Sequence, residues 1–290
     1  EVVYGDTDSV FVKFSKKHHE TGEILQGKEA LQYCIDCGIK AGEWITKHKL
    51  THPQDLEYEK TFYPFILISK KRYTGDKYEY KADVLKERTS MGIVMKRRDN
   101  APIVKYVFGN VIERIMNLKD IDIAIQWLQE TLQKIIDGKM DESMFIISKR
   151  LSGYYKNPQG IAHKVLADRM AERNPGNKPK PNDRIPYAYI PVEDKEFVGY
   201  HMISKKVENG HFKNGNVKFK TIKERGEKKY RKKNILQGDR IEHPDYIKEK
   251  GLSIDYRFYI TNQIMNPVKQ VLDLDKSPEE TQKLFEPFIM

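Results

Sequence analysis

The strongest constraint on what this chain can fold into is the passage from short β-prone runs to helical periodicity along its 290 residues. Val2-Val3-Tyr4 and Val10-Phe11-Val12 flank Gly5-Asp6-Thr7-Asp8-Ser9, which predicts a hairpin with a polar turn. Leu56 to Glu59, Phe62 to Ser69 and Tyr73 to Ala82 read as further strands, with Thr74-Gly75-Asp76 as a turn. Between them, Ala30, Leu31, Cys34, Ile35, Gly38 and Ile45 recur at helical spacing from Lys28 to Lys49. From Pro102 the chain turns largely helical, first to about Met116 and then from Asp122 to Asp137, where Gly138 supplies a stop. Met144 to Ile147 and Ile185 to Val192 are strand-like, and Gln159 to Arg173 is helical. Asn174 to Pro186 is a proline-rich loop. Ser253 to about Asp275 is helical with an interruption near Pro267, and Ser277-Pro278-Glu279-Glu280 is a capping box opening a last helix. Together these segments predict an α+β protein without internal repeats.

Charge narrows the partners. The chain holds 52 Lys and Arg against 42 Asp and Glu, hence 52 − 42 = +10, which points to polyanions and first to nucleic acid. Most of that excess is local: Lys205 to Lys233 carries 12 Lys and Arg against 3 Glu, so 12 − 3 = +9, in a segment expected to be a mobile loop or a weak β-ribbon. The lack of a long apolar run excludes a membrane-spanning helix, and 11% aromatic residues argue for a packed core. Two cysteines make no disulfide framework, which fits a reducing intracellular compartment. The chain opens at Glu1 inside a strand-like run, without initiator Met or signal pattern, and is expected to be a fragment of something longer.

Three clusters could carry chemistry. Asp6 and Asp8, two residues apart at a hairpin tip, can converge on a hard divalent cation, although turns select Asp in any case. Leu56-Glu57-Tyr58-Glu59-Lys60 leads to Ser69-Lys70-Lys71-Arg72-Tyr73, whose cations and Tyr at a strand end can grip phosphates or form an ordinary charged turn. Glu87 to Gly92 followed by Lys96-Arg97-Arg98-Asp99-Asn100 is a third cluster, placed just before a helix. Cys34-Ile35-Asp36-Cys37 has zinc half-site spacing, with His18 and His19 as its nearest complement. Two cysteines on a helix face are more simply core.

In this order, the segments resemble the C-terminal part of a family B DNA polymerase. Tyr4-Gly5-Asp6-Thr7-Asp8-Ser9 is similar to that family's third palm motif. Phe62 to Tyr73 resembles the palm strands leading to a Lys-Lys-Arg-Tyr element that tracks the primer–template minor groove, and Lys96 to Pro102 resembles the palm–thumb border. Ala162 to Met170, Asn182 to Tyr187, Asp255 to Tyr259 and Leu284 to Pro287 resemble the thumb of delta-like enzymes.

The resemblance implies an antiparallel palm sheet with packed helices over residues 1–100, and a mostly helical thumb over 101–290 with a basic insertion at about 193–239. It implies catalytic Asp6 and Asp8, with Glu59, and Glu57 beside it, near a site for two Mg²⁺ ions. Lys70, Lys71, Arg72 and Tyr73, with Lys96, Arg97 and Arg98, are the implied DNA contacts. The partners are then primer–template DNA, deoxynucleoside triphosphates and a sliding clamp or other processivity factor, with no membrane. The implied setting is the nucleus or a viral replication site in the cytoplasm. The family's first palm motif, fingers and exonuclease are not found, so this piece alone is expected to be inactive. The basic insertion and the lack of a Cys-rich tail fit relatives from large double-stranded DNA viruses. Two other readings remain. An Asp-x-Asp glycosyltransferase explains neither the cationic clusters nor the helical half, and a non-catalytic nucleic-acid-binding module would treat the Asp pair as structural.

Overall fold

The computed structural model describes residues 1–96, 100–193, 195–213, 216–232 and 234–289. Its contacts divide the chain into two compact units, Glu1–Phe145 with Tyr256–Met290, and Ile146–Asp255. The fold is α+β and every strand pairing is antiparallel.

The first unit opens with a hairpin of β1 (Val2–Asp6) and β2 (Ser9–Val12), in register with Tyr4 opposite Phe11 and Asp6 opposite Ser9. Helix α1 (Gly27–Lys49) follows, burying Ala30, Leu31 and Ile35. Its Leu31 and Ile35 meet Ala82, with Ile39, Tyr58 and Tyr78 packed around them. Cys34 and Cys37 are free and half-buried on the same helix, and burial raises the Cys34 thiol above its usual pKa. His18 and His19 lie against Tyr33, at ring distances of 5.1 and 6.2 Å.

Strands β3 (Thr61–Ser69), β4 (Arg72–Tyr78) and β5 (Glu87–Met91) form a meander with β4 in the middle. Here the structure departs from two sequence expectations. Leu56 to Glu59 is not a strand: the segment runs along α1, where the carbonyl of Leu56 would lie 2.8 Å from a Cβ on Gly42, so only a bare helix surface admits it. Thr74-Gly75-Asp76 is not a turn, since β4 passes straight through it with all three residues buried. The missing side chain at Gly75 makes room for Phe62, which would meet a Cβ there at 2.8 Å. Residues that favour turns elsewhere serve central-strand packing here. The actual turn lies four residues earlier, at Lys70-Lys71 between paired Ser69 and Arg72.

Pro102 begins α2 (Pro102–Leu118), where its missing N–H costs nothing, and Val104, Val107, Phe108, Val111 and Ile112 form its buried stripe. Asp120 caps α3 (Ile121–Ile136), accepting from the N–H groups of Asp122 and Ile123 at 2.8 and 3.3 Å. Both helices, which the sequence reading allots to the second domain, lie in the first compact unit. The C-terminal helical segment widens to a π-helical turn at Ile260–Ile264, just before Pro267 withholds the N–H that would continue the ladder. The Ser277–Glu280 capping box is present, with Ser277 N–H to Glu280 at 3.0 Å and Glu280 N–H to Ser277 at 3.3 Å.

In the second unit, β6 (Ile147–Arg150) pairs with β7 (Arg184–Tyr189), and helix α4 (Ala162–Arg173) buries Leu166 and Ala167. The chain then runs out and back as a ribbon of β8 (Lys195–Lys213) and β9 (Asn216–Lys232), which is the β-ribbon alternative for the basic segment. It returns to β10 (Ile241–Glu242), which pairs with β7, before α5 (Pro244–Lys250). Glu242 is buried at 3% exposure and is held by Arg173 through a two-bond fork at 2.8 and 3.1 Å, with Arg169 at 3.7 Å. The fork fixes α4 to the strand where the ribbon ends.

Candidate active site

Period-two alternation puts Tyr4 and Asp6 of β1, and Phe11 of β2, on one face of the hairpin, and these are its half-buried positions. That face lies on the meander. Phe11 sits 6.1 Å from Phe62, 5.6 Å from Phe65 and 5.5 Å from Tyr73, and Tyr4 sits 6.3 Å from Tyr73. Offset and edge contacts of this kind each add about 1 kcal/mol beyond burial, so the cluster seats the hairpin firmly. Asp6 and Asp8 are therefore held beside the strands that begin at Thr61. Tyr73 is buried at 8% exposure within this cluster, so its ring supports the hairpin from below.

The turn itself is strained. Thr7 has φ +58°, a region that a β-branched residue rarely enters. Asp8 follows it, exposed at the tip. Asp6 is more enclosed: its carboxylate accepts from the Thr7 hydroxyl at 3.2 Å and the Tyr4 hydroxyl at 3.3 Å, and pairs with the Lys71 ammonium at 3.4 Å. Desolvation opposes ionisation, but the Thr7 hydrogen bond, Lys71 and Tyr4 together hold the Asp6 carboxyl below its ordinary pKa.

Lys71 is fixed from several sides. Its φ is +60°, its backbone N–H donates to the Tyr4 hydroxyl at 2.9 Å, and its side chain reaches Asp6. Behind it stands Gly92, at φ +61°, where a Cβ would come within 2.1 Å of the Lys71 carbonyl oxygen. Only glycine permits that approach. The β3–β4 turn and the acidic hairpin are thus one constrained unit. Lys70 is exposed beside Lys71, and Arg72 is partly covered.

The remaining predicted residues are placed less centrally. Glu59 ion-pairs with neighbouring Lys60 and is 70% exposed. Among the described residues, no three His, Cys, Asp or Glu side chains gather so as to hold a metal ion, so Asp6, Asp8 and Glu59 do not form a closed triad. Two oxygen-donor carboxylates at one turn do suit a hard divalent cation whose remaining ligands are phosphates and water. They fit that role as a partial donor set. Lys96 ends a short 3₁₀ turn, Val94–Lys96, while Arg97 and Arg98 lie outside the described residues. Sequence reasoning missed Tyr4, Phe11 and Gly92. The alternation of the two hairpin strands contained the signal for the first two, whereas Gly92 becomes visible only when β5 lies beside the Lys71 turn.

The site is thus a carboxylate-tipped hairpin clamped to an antiparallel meander, with a cationic turn at its side. The profile of DNA polymerase family B matches residues 1–274. The chain belongs to DNA polymerase family B. It is 45% identical over 274 residues to the DNA polymerase of Pyramimonas orientalis virus, covering 94% of this chain and 19% of that protein. It is 43% identical over 290 residues to the DNA polymerase of Acanthamoeba polyphaga mimivirus, covering 100% and 15%. The DNA polymerase delta catalytic subunit of Caenorhabditis elegans is 29% identical over 276 residues, covering 94% and 20%. The chain therefore spans a fifth or less of the length of these relatives. The family B DNA polymerase from the hyperthermophilic archaeon Pyrobaculum calidifontis has the same fold over 95% of this chain and 27% of its own, with a TM-score of 0.54 and 18% identity.

Proposed function

We propose that this chain is the palm and thumb portion of a DNA-directed DNA polymerase, and that it supplies one wall of the site where a primer 3′-hydroxyl attacks the α-phosphate of a deoxynucleotide. The observation that carries the reading is the seating of the Asp6–Asp8 hairpin on Phe62, Phe65 and Tyr73, with Lys71 tied to it. In this reading Asp8, exposed at the tip, and Asp6 would hold divalent cations, taken as two Mg²⁺, and Glu59 would join them once released from Lys60. When bound, such ions activate the attacking hydroxyl and stabilise the departing pyrophosphate.

The chain's own residues then have separate tasks. Tyr4 and Gly92 fix the backbone of Lys71. Lys71 pairs with Asp6 at 3.4 Å, and its ammonium would be the contact this turn offers to the primer strand. Lys70 and Arg72 at the same turn, with Lys96, Arg97 and Arg98, would follow the duplex backbone. Primer–template DNA and deoxynucleoside triphosphates are the substrates in this reading, and a sliding clamp is a further partner. Viral relatives at 43–45% identity favour a viral replication setting.

The test is Asp8→Asn in the longest protein that contains this chain. Extension of a bound primer should fall at least tenfold, while DNA affinity stays within about threefold, because the phosphate contacts lie elsewhere. Extension retained above about a tenth of wild type would refute the role given to Asp8.

A further inference from the structure

The basic ribbon has no part in the site described above, and its geometry is informative. β8 and β9 carry 12 Lys and Arg against 4 Glu, so 12 − 4 = +8. The whole chain is +10, which leaves 10 − 8 = +2 for everything else. Strands of 19 and 17 residues, at about 3.4 Å per residue, reach roughly 55 Å, more than one turn of duplex DNA at about 34 Å.

The register distributes the cations over both faces. Lys205 belongs to one face, through the pair Lys205↔Ile222, and meets Glu224 there at 2.8 Å. Lys223 and Arg225, both exposed, belong to the other, through Ser204↔Lys223 and Met202↔Arg225. Among the described residues no third strand pairs with the ribbon. A lone two-stranded ribbon is marginal in water, and the net +8 carried by its two strands weakens it further by self-repulsion. An anionic partner would relieve that repulsion.

Duplex DNA fits best. It offers one charge per about 1.7 Å, a density that an acidic protein surface does not sustain over such a length. Its major groove, about 12 Å wide, admits a two-stranded ribbon, whose long cationic side chains can reach the phosphates that border the groove. A single strand would instead call for closely repeated aromatic platforms, whereas the ribbon's five, Phe197, Tyr200, Phe212, Phe219 and Tyr230, are scattered along its two strands. We infer that the β8–β9 ribbon is a DNA-binding arm that lies along duplex DNA and tethers the chain to it without reading sequence.

The arm leaves from a closed base. β7 and β10 pair directly, and the Ile190 N–H donates to the Arg240 carbonyl at 2.9 Å, so changing charges along the ribbon leaves that sheet intact. The inference needs no catalytic step, so DNA binding tests it separately from the polymerase reading, which primer extension tests.

The experiment is fluorescence anisotropy of the full 290-residue chain with a labelled duplex across a range of salt concentrations. In a variant carrying Lys218→Gln, Lys220→Gln, Lys223→Gln and Arg225→Gln, the log–log salt slope should shrink by about 3.6, since each of the four lost phosphate contacts removes about 0.9. The dissociation constant at moderate salt should rise at least tenfold. A second variant, Lys206→Gln with Lys213→Gln, should move both quantities in the same direction by less. Unchanged slope and affinity in both variants would overturn the arm. Displacement of the duplex by poly-glutamate or by single-stranded DNA as effectively as by unlabelled duplex, at equal charge, would overturn the assignment to duplex.

Discussion

Gly92→Ala tests whether the Lys71 turn is as constrained as its geometry indicates. At φ +61° an alanine is strained by about 1 kcal/mol whatever its surroundings. Its Cβ would also lie 2.1 Å from the Lys71 carbonyl and 3.2 Å from Arg72 Cγ, so the β3–β4 turn must shift by more than an ångström. Overpacking against backbone of this kind costs about 1–3 kcal/mol, which gives a total near 3 kcal/mol. Gly27 provides the control within the same compact unit, because it has φ +55° and nothing within 4 Å of a built Cβ. Gly27→Ala should therefore lose only the backbone contribution, about 1 kcal/mol. Urea unfolding of both variants, with slopes matching wild type, isolates the clash as their difference. Equal losses within about 0.5 kcal/mol would show that the Lys71 turn yields freely, and the argument for a fixed Lys71 would fail.

Arg88→Ala should destabilise the meander by about 3 kcal/mol in the same assay, because it strands the buried Asp76 carboxylate that Arg88 holds by a fork at 2.5 and 2.8 Å. Replacing both partners, Arg88→Met with Asp76→Leu, should recover most of that loss. Asp6 gives a pH signature: its folded-state pKa lies below the ordinary 3.8, so the stabilisation from its ionised form is present above that value and is lost as pH falls through the folded one. The stability gap between wild type and Asp6→Asn should accordingly be larger at about pH 5 than at about pH 2.5, and a gap that widens on acidification would contradict the pairing with Lys71.

Much of this protein was legible in its sequence because the signals were local. Alternation and turn residues gave the Val2–Val12 hairpin, helical spacing gave α1 to α4, and Ser277 with Glu280 marked their capping box. Those features depend on groups a few residues apart, whose chemistry is fixed before any tertiary contact forms. The carboxylates of the tip and the cations of the β3–β4 turn could likewise be named, and their order along the chain pointed to the family.

What the linear order could not contain was the meeting of distant groups. Thr74-Gly75-Asp76 reads as a turn until Phe62 occupies the space over Gly75, and Leu56 to Glu59 reads as a strand until a bare stretch of α1 takes it up. The choice between mobile loop and ribbon for the basic segment rested on a register of pairs that no local pattern specifies. Tyr4, Lys71 and Gly92 lie far apart in sequence, and their roles arise only where β1, the β3–β4 turn and the end of β5 converge. Local propensity sets which elements form. Close packing decides which of their residues touch, and the restraint on Lys71 beside Asp6 belongs entirely to that second step.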